Sequence, residues 1–179
     1  MTILQRVGSV LFASLLALGC RAPDGSEPPR TGAPLIDVDG EVIGHVDLLE
    51  GPDALLIEIS TTGLAPGGHG VHVHAAGICE PPFASAGSHL GLDAAAHGFL
   101  APEGPHDGDL PNLFVAAGAA TSRAHFHLRV LSSDLADADG SALVIHAGPD
   151  DYRTDPAGAS GARVACAVLR PPSNPDPEG

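Results

Sequence analysis

The sequence predicts an all-β fold, either an antiparallel sandwich or a barrel built from eight short strands. Three observations lead to this prediction. Apolar segments of strand length recur along the chain and are separated by turn sequences. Glycine and proline number 23 and 17 among 179 residues, which is unusual for a helical protein. No segment of the sequence carries an amphipathic helical pattern of useful length.

Turn sequences mark the ends of several predicted strands. The first two strands flank Asp39-Gly40, a pair typical of β-hairpin turns, and the third follows the turn Gly51-Pro52. Asp139-Gly140 precedes the seventh strand. In chain order, the predicted strands are Leu35–Val38, Val42–Leu48, Ala54–Ser60, Gly70–His74, Leu113–Ala117, Ala124–Leu131, Ala142–Ala147 and Ala162–Leu169.

Composition and charge limit the possible partners. Hydrophobic residues make up 44% of the chain, but aromatics only 3%, so the core must be built from aliphatic side chains. The formal net charge is −14, and nucleic-acid binding is excluded because it needs a basic surface. The same charge argues against electrostatic docking on anionic lipid.

The first 20 residues are typical of an export signal. Arg6 precedes an apolar run that is too short to span a bilayer comfortably, and Gly19-Cys20 follows this run. The segment resembles a bacterial lipobox, in which the cysteine becomes the lipidated first residue. A plain signal peptide with a nearby cleavage site is the alternative.

The predicted organisation has four parts. Residues 1–19 form the lipoprotein signal peptide, residues 20–33 the lipid-anchored Cys20 and a flexible tether, and residues 34–170 the folded domain. Residues 171–179 form a disordered tail. The protein would be exported to the periplasm or the cell-envelope face and held at a membrane by its lipid anchor.

The three cysteines are Cys20, Cys79 and Cys166. An odd number of cysteines in an exported protein needs an explanation. Lipidation of Cys20 would leave the other two as a pair for one disulfide in an oxidising compartment.

Residues 69–109 hold six of the ten histidines and are rich in glycine and proline. His72 and His74 lie two apart on a predicted strand, so both imidazoles point to one face of the sheet. The long loop that follows has no predicted regular element, and loops of this length are usually functional. The histidine cluster therefore predicts a metal site.

The loop contributes three imidazoles and one carboxylate, a donor set that suits tetrahedral zinc: His89, His97, His106 and Asp109. Any one of these histidines alone could equally be solvated. His146, on an apolar strand, is by itself more typical of a packed histidine than of a ligand. His125 and His127 also lie two apart, and we predict a surface or packed strand pair without a ligand role.

Four ordered motifs resemble the copper/zinc superoxide dismutases, in particular their exported bacterial branch. The resemblance extends over about Pro34 to Arg170. The motifs are GGHGVHVHAAG at 67–77, CEPPFASAGSHLG at 79–91, HGFLAPEGPHDGDLPNL at 97–113, and HAGPDD at 146–151 followed by GASGARVACAV at 158–168.

The resemblance implies a role for each matching position and an eight-stranded Greek-key β-barrel (Ig-like sandwich). The implied copper ligands are His72, His74, His89 and His146. The implied zinc ligands are His89, His97, His106 and Asp109, so that His89 bridges the two metals. Asp150 would link ligands of both sites, Arg163 would guide the substrate anion, Cys79 and Cys166 would form the disulfide, and His69 would be structural.

The implied activity converts superoxide to oxygen and hydrogen peroxide by alternate reduction and oxidation of one copper beside one structural zinc per chain. His89 and Arg163 would be the catalytic residues. The resemblance does not decide whether the protein forms a homodimer, because dimer contacts vary within the family. The alternative is a non-catalytic module that stores or delivers copper on the same fold, whereas a plain adhesion domain would leave the histidine spacing unexplained.

One departure from the family pattern concerns packing near the copper. Val71 stands where the family usually has an aromatic residue. We expect this smaller side chain to loosen the surroundings of the copper ligands.

Overall fold

The computed structural model describes residues 30–51, 55–91, 96–128, 130 and 132–170. Within these residues there are eight strands and two short 3₁₀ helices. The strands are β1 (Arg30–Asp37), β2 (Val42–Glu50), β3 (Leu55–Thr61), β4 (Gly67–His74), β5 (Asp109–Val115), β6 (Ser122–Leu128), β7 (Ser141–His146) and β8 (Arg163–Arg170), and the 3₁₀ helices are Ala84–Ala86 and Ser132–Leu135. The predicted signal peptide, Cys20, Pro52 and the tail lie outside the described residues.

The strands form one antiparallel sheet that curls into a nearly closed barrel. Their spatial order is β5-β4-β7-β8-β1-β2-β3-β6, and the two end strands, β5 and β6, contact each other. The connections from β3 to β4 and from β6 to β7 join strands that are not neighbours, which is Greek-key connectivity. The predicted all-β Greek-key barrel is confirmed. In the described part of the chain, we find no helix with the length and apolar character needed to cross a membrane.

Alternating burial along the strands builds the barrel interior. In β3, Leu55, Ile57 and Ile59 are fully buried, whereas the residues between them are only half-buried. Side chains of successive strand residues point to opposite faces, so this alternation directs the aliphatic residues inward. Val71 and Val73 of β4 join the same core.

β7 is buried on both faces, because a loop covers its outer side. Ala142 and Val144 pack there against Phe83 and Ala86 of the segment that follows β4. The disulfide between Cys79 and Cys166 fixes this segment to β8, with the two Cα atoms 5.7 Å apart. The predicted cysteine pairing is confirmed.

Two predicted boundaries are wrong. β1 begins at Arg30, so residues 30–33 belong to a strand instead of the tether, because they pair with residues 46–49 of β2. β5 begins at Asp109, inside the loop that was predicted to lack regular structure, because Asp109 pairs with His72 of β4. This second extension places a predicted metal ligand at a fixed strand position.

We predict that the disulfide supplies a large part of the stability of the fold. The bond closes a loop with a sequence separation of 87, and on the chain-entropy model such a loop is worth about 4–5 kcal/mol. The double substitution Cys79→Ser/Cys166→Ser should lower the free energy of unfolding of the metal-free protein by that order, as measured by urea titration.

Reduction provides the matched control. Dithiothreitol should shift the unfolding midpoint of the unsubstituted protein to that of the double variant and leave the variant unchanged. Equal midpoints for the oxidised protein and the variant would contradict the prediction.

Candidate metal centre

Two overlapping clusters of metal-binding side chains lie on the outer face of the sheet, beside β4 and β7. Within each cluster, the candidate ligand atoms all lie within 4.8 Å of one another, and every member is buried. His72 and His89 belong to both clusters, and their ring centroids are 4.1 Å apart. The first cluster consists of His72, His74, His89 and His146, and the second of His72, His89, His97 and Asp109.

Strand pairing brings the first cluster together. His72 and His74 alternate with Val71 and Val73, so the imidazoles point away from the barrel interior while the valines fill it. β7 pairs antiparallel with β4, and its last residue is His146. His89 forms a β-bridge to His74, which extends the sheet locally into the loop.

The position of Val71 changes one expectation from the sequence. Val71 is fully buried in the barrel core, on the opposite face of β4 from His72. The prediction that this residue loosens packing next to the copper ligands is therefore wrong, because alternation along the strand separates it from them.

Three buried imidazole nitrogens have no hydrogen-bond partner among the described residues: Nδ1 of His72, Nε2 of His74 and Nε2 of His146. The other nitrogen of each ring is occupied. His74 Nδ1 donates to the Gly87 carbonyl at 2.9 Å, and His146 Nδ1 donates to the Gly161 carbonyl at 3.0 Å. These bonds leave a lone pair on each free nitrogen.

The three free nitrogens fit a copper ion. Leaving a polar atom buried and unpaired costs about 1–3 kcal/mol, and here three such lone pairs belong to one cluster with His89. A bound cation would compensate all of them at once, and imidazole suits copper as well as zinc. Chelation of a cation by the three nitrogens therefore accounts for their being buried without hydrogen-bond partners.

Burial keeps these histidines in the neutral form that binds metals. Desolvation lowers the pKa of His72 to about 4 and that of His74 to about 2. Burial also lowers the pKa values of His89 and His146. At neutral pH, no proton has to leave His72, His74 or His146 before a metal can bind.

Asp109 organises the second cluster. Its Oδ1 lies 2.8 Å from His89 Nδ1 and 3.1 Å from His97 Nδ1, and its Oδ2 accepts hydrogen bonds from the backbone N–H groups of Gly98 and His106. Burial alone would raise the pKa of Asp109, but these hydrogen bonds outweigh burial and lower it. The carboxylate is therefore ionised and available to a cation.

His106 lies beside the second cluster rather than within its tightest group. Its ring centroid is 5.5 Å from that of His89 and 5.8 Å from that of His97, and its Nδ1 is 3.5 Å from Asp109 Oδ1. Three imidazoles thus lie near Asp109, and a set of three imidazoles and one carboxylate suits tetrahedral zinc.

Asp150 connects the two clusters through its carboxylate. Oδ2 accepts from His72 Nε2 at 2.8 Å, and Oδ1 accepts from His97 Nε2 at 3.0 Å. Burial lowers the pKa of His97, but hydrogen bonds to Asp109 and Asp150 outweigh burial and raise it to about 9. Asp150 thus contacts His72, which belongs to both clusters, and His97 of the second cluster.

Arg163 lines a pocket at the edge of the first cluster. The guanidinium donates to the carbonyl groups of Phe83 at 2.6 Å and Gly87 at 2.7 Å. The pocket has a volume of about 280 Å³ and is lined by Gly87, Ser88, His89, Pro156, Ala157 and Arg163. It offers a small anion a cationic side chain next to His89.

The remaining histidines fall outside the clusters. His69 is buried with its ring nitrogens 2.7 Å from the His146 carbonyl oxygen and 2.8 Å from that of Ala65, which is a structural position. His125 and His127 are exposed on β6, as predicted for a surface pair, and His125 lies 3.1 Å from Glu58.

Sequence reasoning missed several groups that position the site. The Gly87 carbonyl accepts hydrogen bonds from both His74 and Arg163, and Asp155 accepts one from the His97 backbone N–H. A backbone carbonyl has no sequence signature, and nothing near Asp155 in the sequence indicates contact with a residue 58 positions away.

Comparison with known proteins agrees with this geometry. The sequence model of the family described as copper/zinc superoxide dismutase (SODC) matches residues 42–169. Cu-Zn superoxide dismutase 2 of Aquifex aeolicus is 37% identical over 179 residues, covering 93% of this chain and 100% of that protein. The Cu-Zn superoxide dismutase of Caulobacter vibrioides is 45% identical over 140 residues, covering 74% of this chain and 80% of that protein.

Solved structures agree as well. The crystal structure of a SOD-like protein from Bacillus subtilis aligns with a TM-score of 0.71 at 35% identity, covering 79% of this chain and all of that chain. The match to the family model, the sequence identity to the relatives and the paired histidine clusters all indicate the same family. The chain belongs to the copper/zinc superoxide dismutase family.

Proposed function

We propose that the protein is a superoxide dismutase that converts superoxide to oxygen and hydrogen peroxide. The observation that carries the proposal is the group of unpaired, buried imidazole nitrogens on His72, His74 and His146, next to the pocket of Arg163. A site built only to store copper would not need a cationic pocket beside its ligands.

We assign copper from the unpaired imidazole nitrogens and zinc from the imidazoles that lie around Asp109. Copper would be held by His72 through Nδ1, by His74 and His146 through Nε2, and by His89. Zinc would be held by His89, His97, His106 and Asp109, and His89 would thus serve both ions. Bound copper supplies reversible one-electron transfer with superoxide, and bound zinc supplies a fixed positive charge beside His89.

The residues of the chain supply charge, orientation and protons. Arg163 is held by two backbone carbonyls, so its positive charge has a fixed position at the pocket. Attraction of superoxide by this charge opposes the repulsion that follows from a net charge of −14. His89 lines the same pocket, and when one of its ring nitrogens is not bound to a metal, that nitrogen would hold a proton for transfer to the product.

We further propose that the protein is exported and anchored to a membrane through Cys20. The signal-like sequence of residues 1–20 supports this proposal. A disulfide such as Cys79–Cys166 is typical of oxidising compartments outside the cytosol, which also supports export. Labelling of the lipid in cells, with Cys20→Ser as the control, tests the anchor.

A homodimer is a further proposal for the folded domain. Phe114 on β5 is 76% exposed and is the most exposed large apolar side chain in the described residues, so it could contribute to a contact between copies. Light scattering of the purified protein tests this state.

The first test of function measures superoxide consumption by copper- and zinc-loaded protein together with its Arg163→Ala variant. Loss of the local positive charge should lower the rate constant at least roughly ten-fold, because electrostatic guidance of this kind is worth 10- to 1,000-fold. Arg123→Ala is the matched control, since it removes the same charge from the exposed face of β6. Full metal loading with negligible dismutation would favour the storage or delivery module.

The second test separates the two metal sites. His146→Ala removes a ligand that belongs to the first cluster alone, so copper affinity should fall by more than the roughly 10–100-fold typical of losing a supporting contact. Zinc content should remain nearly complete, as measured by mass spectrometry after dialysis. His125→Ala, at an exposed histidine, should leave both metals bound, and equal loss of copper and zinc in His146→Ala would contradict the assignment.

The third test concerns the linking role of Asp150. Gly158 has a φ of +63°, and a Cβ there would overlap Asp150 Oδ1 and lie 2.9 Å from His97 Nε2. Gly158→Ala should therefore displace the carboxylate that contacts both clusters. The affinity for each metal should fall by roughly 10-fold or more.

Gly118→Ala is the matched control for backbone strain. Gly118 has a φ of +75°, but no atom lies within 4 Å of the added Cβ. The Gly118→Ala variant should lose about 1 kcal/mol of folding stability without a change in metal affinity. Identical metal affinities for the two variants would refute the linking role.

A further inference from the structure

Residues 152–155, which follow β7, are attached by hydrogen bonds to residues 97–100 and to Asn112 of β5. Asp155 Oδ1 accepts a hydrogen bond from the His97 backbone N–H at 2.7 Å. The Leu100 N–H donates to the Tyr152 carbonyl at 3.0 Å, and the Asn112 N–H donates to the Tyr152 hydroxyl oxygen at 2.8 Å. Among these contacts, that of Asp155 alone reaches the backbone of a proposed zinc ligand.

The residues directly after Asp155 form one wall of the substrate pocket. Pro156 and Ala157 line the pocket together with His89 and Arg163. Asp155 is therefore joined covalently to this wall on one side and hydrogen-bonded to the backbone of His97 on the other.

We infer that Asp155 is a positioning residue that couples the zinc ligand His97 to the wall of the copper-side pocket. The inference rests on the proposed metal assignment. The carboxylate fixes the His97 backbone, while the side chain of His97 is fixed separately by Asp109 and Asp150. With both backbone and ring held, His97 is pre-oriented for zinc, and the same bond fixes where Pro156 and Ala157 stand.

Asp151 provides a direct contrast in the same segment. Its carboxylate accepts from the backbone of Arg153 and Thr154 and from the Thr154 hydroxyl, all within its own turn. Asp151 and Asp155 are both exposed and carry the same charge. They differ in whether the carboxylate reaches across to a zinc ligand.

The test compares Asp155→Ala, Asp155→Asn and Asp151→Ala in the folded protein. Zinc affinity is measured by competition with a chelator. Azide affinity is measured on copper- and zinc-loaded protein from the absorption band that azide produces with copper(II). Circular dichroism of each variant establishes that the fold is retained.

We expect Asp155→Ala to weaken zinc binding by about ten-fold, the lower end of the range for a lost supporting contact. Azide binding should weaken by roughly two- to ten-fold, the equivalent of one hydrogen bond. Asp155→Asn should recover most of both losses, because its amide oxygen still accepts from the His97 N–H. Asp151→Ala should change neither affinity.

Three outcomes would overturn the inference. The first is equal effects of Asp155→Ala and Asp151→Ala, which would indicate a general effect of charge or loop stability. The second is failure of Asp155→Asn to recover the losses, and the third is weakened zinc binding with unchanged azide binding. Absence of dismutation in the unsubstituted protein would count against the proposed function and leave these binding results interpretable.

Discussion

The contacts of two buried carboxylates with the surrounding imidazoles are the interaction on which the metal centre depends. Burial favours the neutral form of the histidines. Hydrogen bonds are then needed to fix the orientation of each imidazole ring. Asp109 holds His89 and His97, and Asp150 holds His72 and His97. Because His97 contacts both carboxylates, the two clusters form one connected network with defined donor and acceptor positions.

The outer position of this network explains the covering loop. His72 and His146 lie on the face of the sheet that points away from the barrel interior, and that face would otherwise be exposed to water. The disulfide-bonded segment covers it, buries Val144 and supplies the carbonyls that hold His74 and Arg163. Stability and site geometry therefore depend on the same segment, since moving it would displace both the cationic group and a ligand.

Much of the fold and the site could be predicted from particular residues. Alternation in β3 and the Asp39-Gly40 turn identify strands locally, because side-chain direction and hairpin geometry follow from short-range sterics. The beginnings of β1 and β5 could not be predicted, because residues 30–33 and Asp109 take strand conformation through pairing with partners distant in sequence. Asp155 escaped prediction for the same reason, since its acceptor role depends on a backbone N–H brought near by the fold.

The sequence by itself determined the strand pattern, the alternation that directs His72 and His74 to one face, and the chemical types of the ligands. These properties depend on side-chain identity and spacing along a few neighbouring residues. Only the tertiary structure decided which imidazole nitrogens remain unpaired, which carboxylate joins the clusters, and where Arg163 stands relative to His89. Those features depend on contacts between residues that are far apart in the chain. The distances between such residues are set only when the strands pair and the barrel closes.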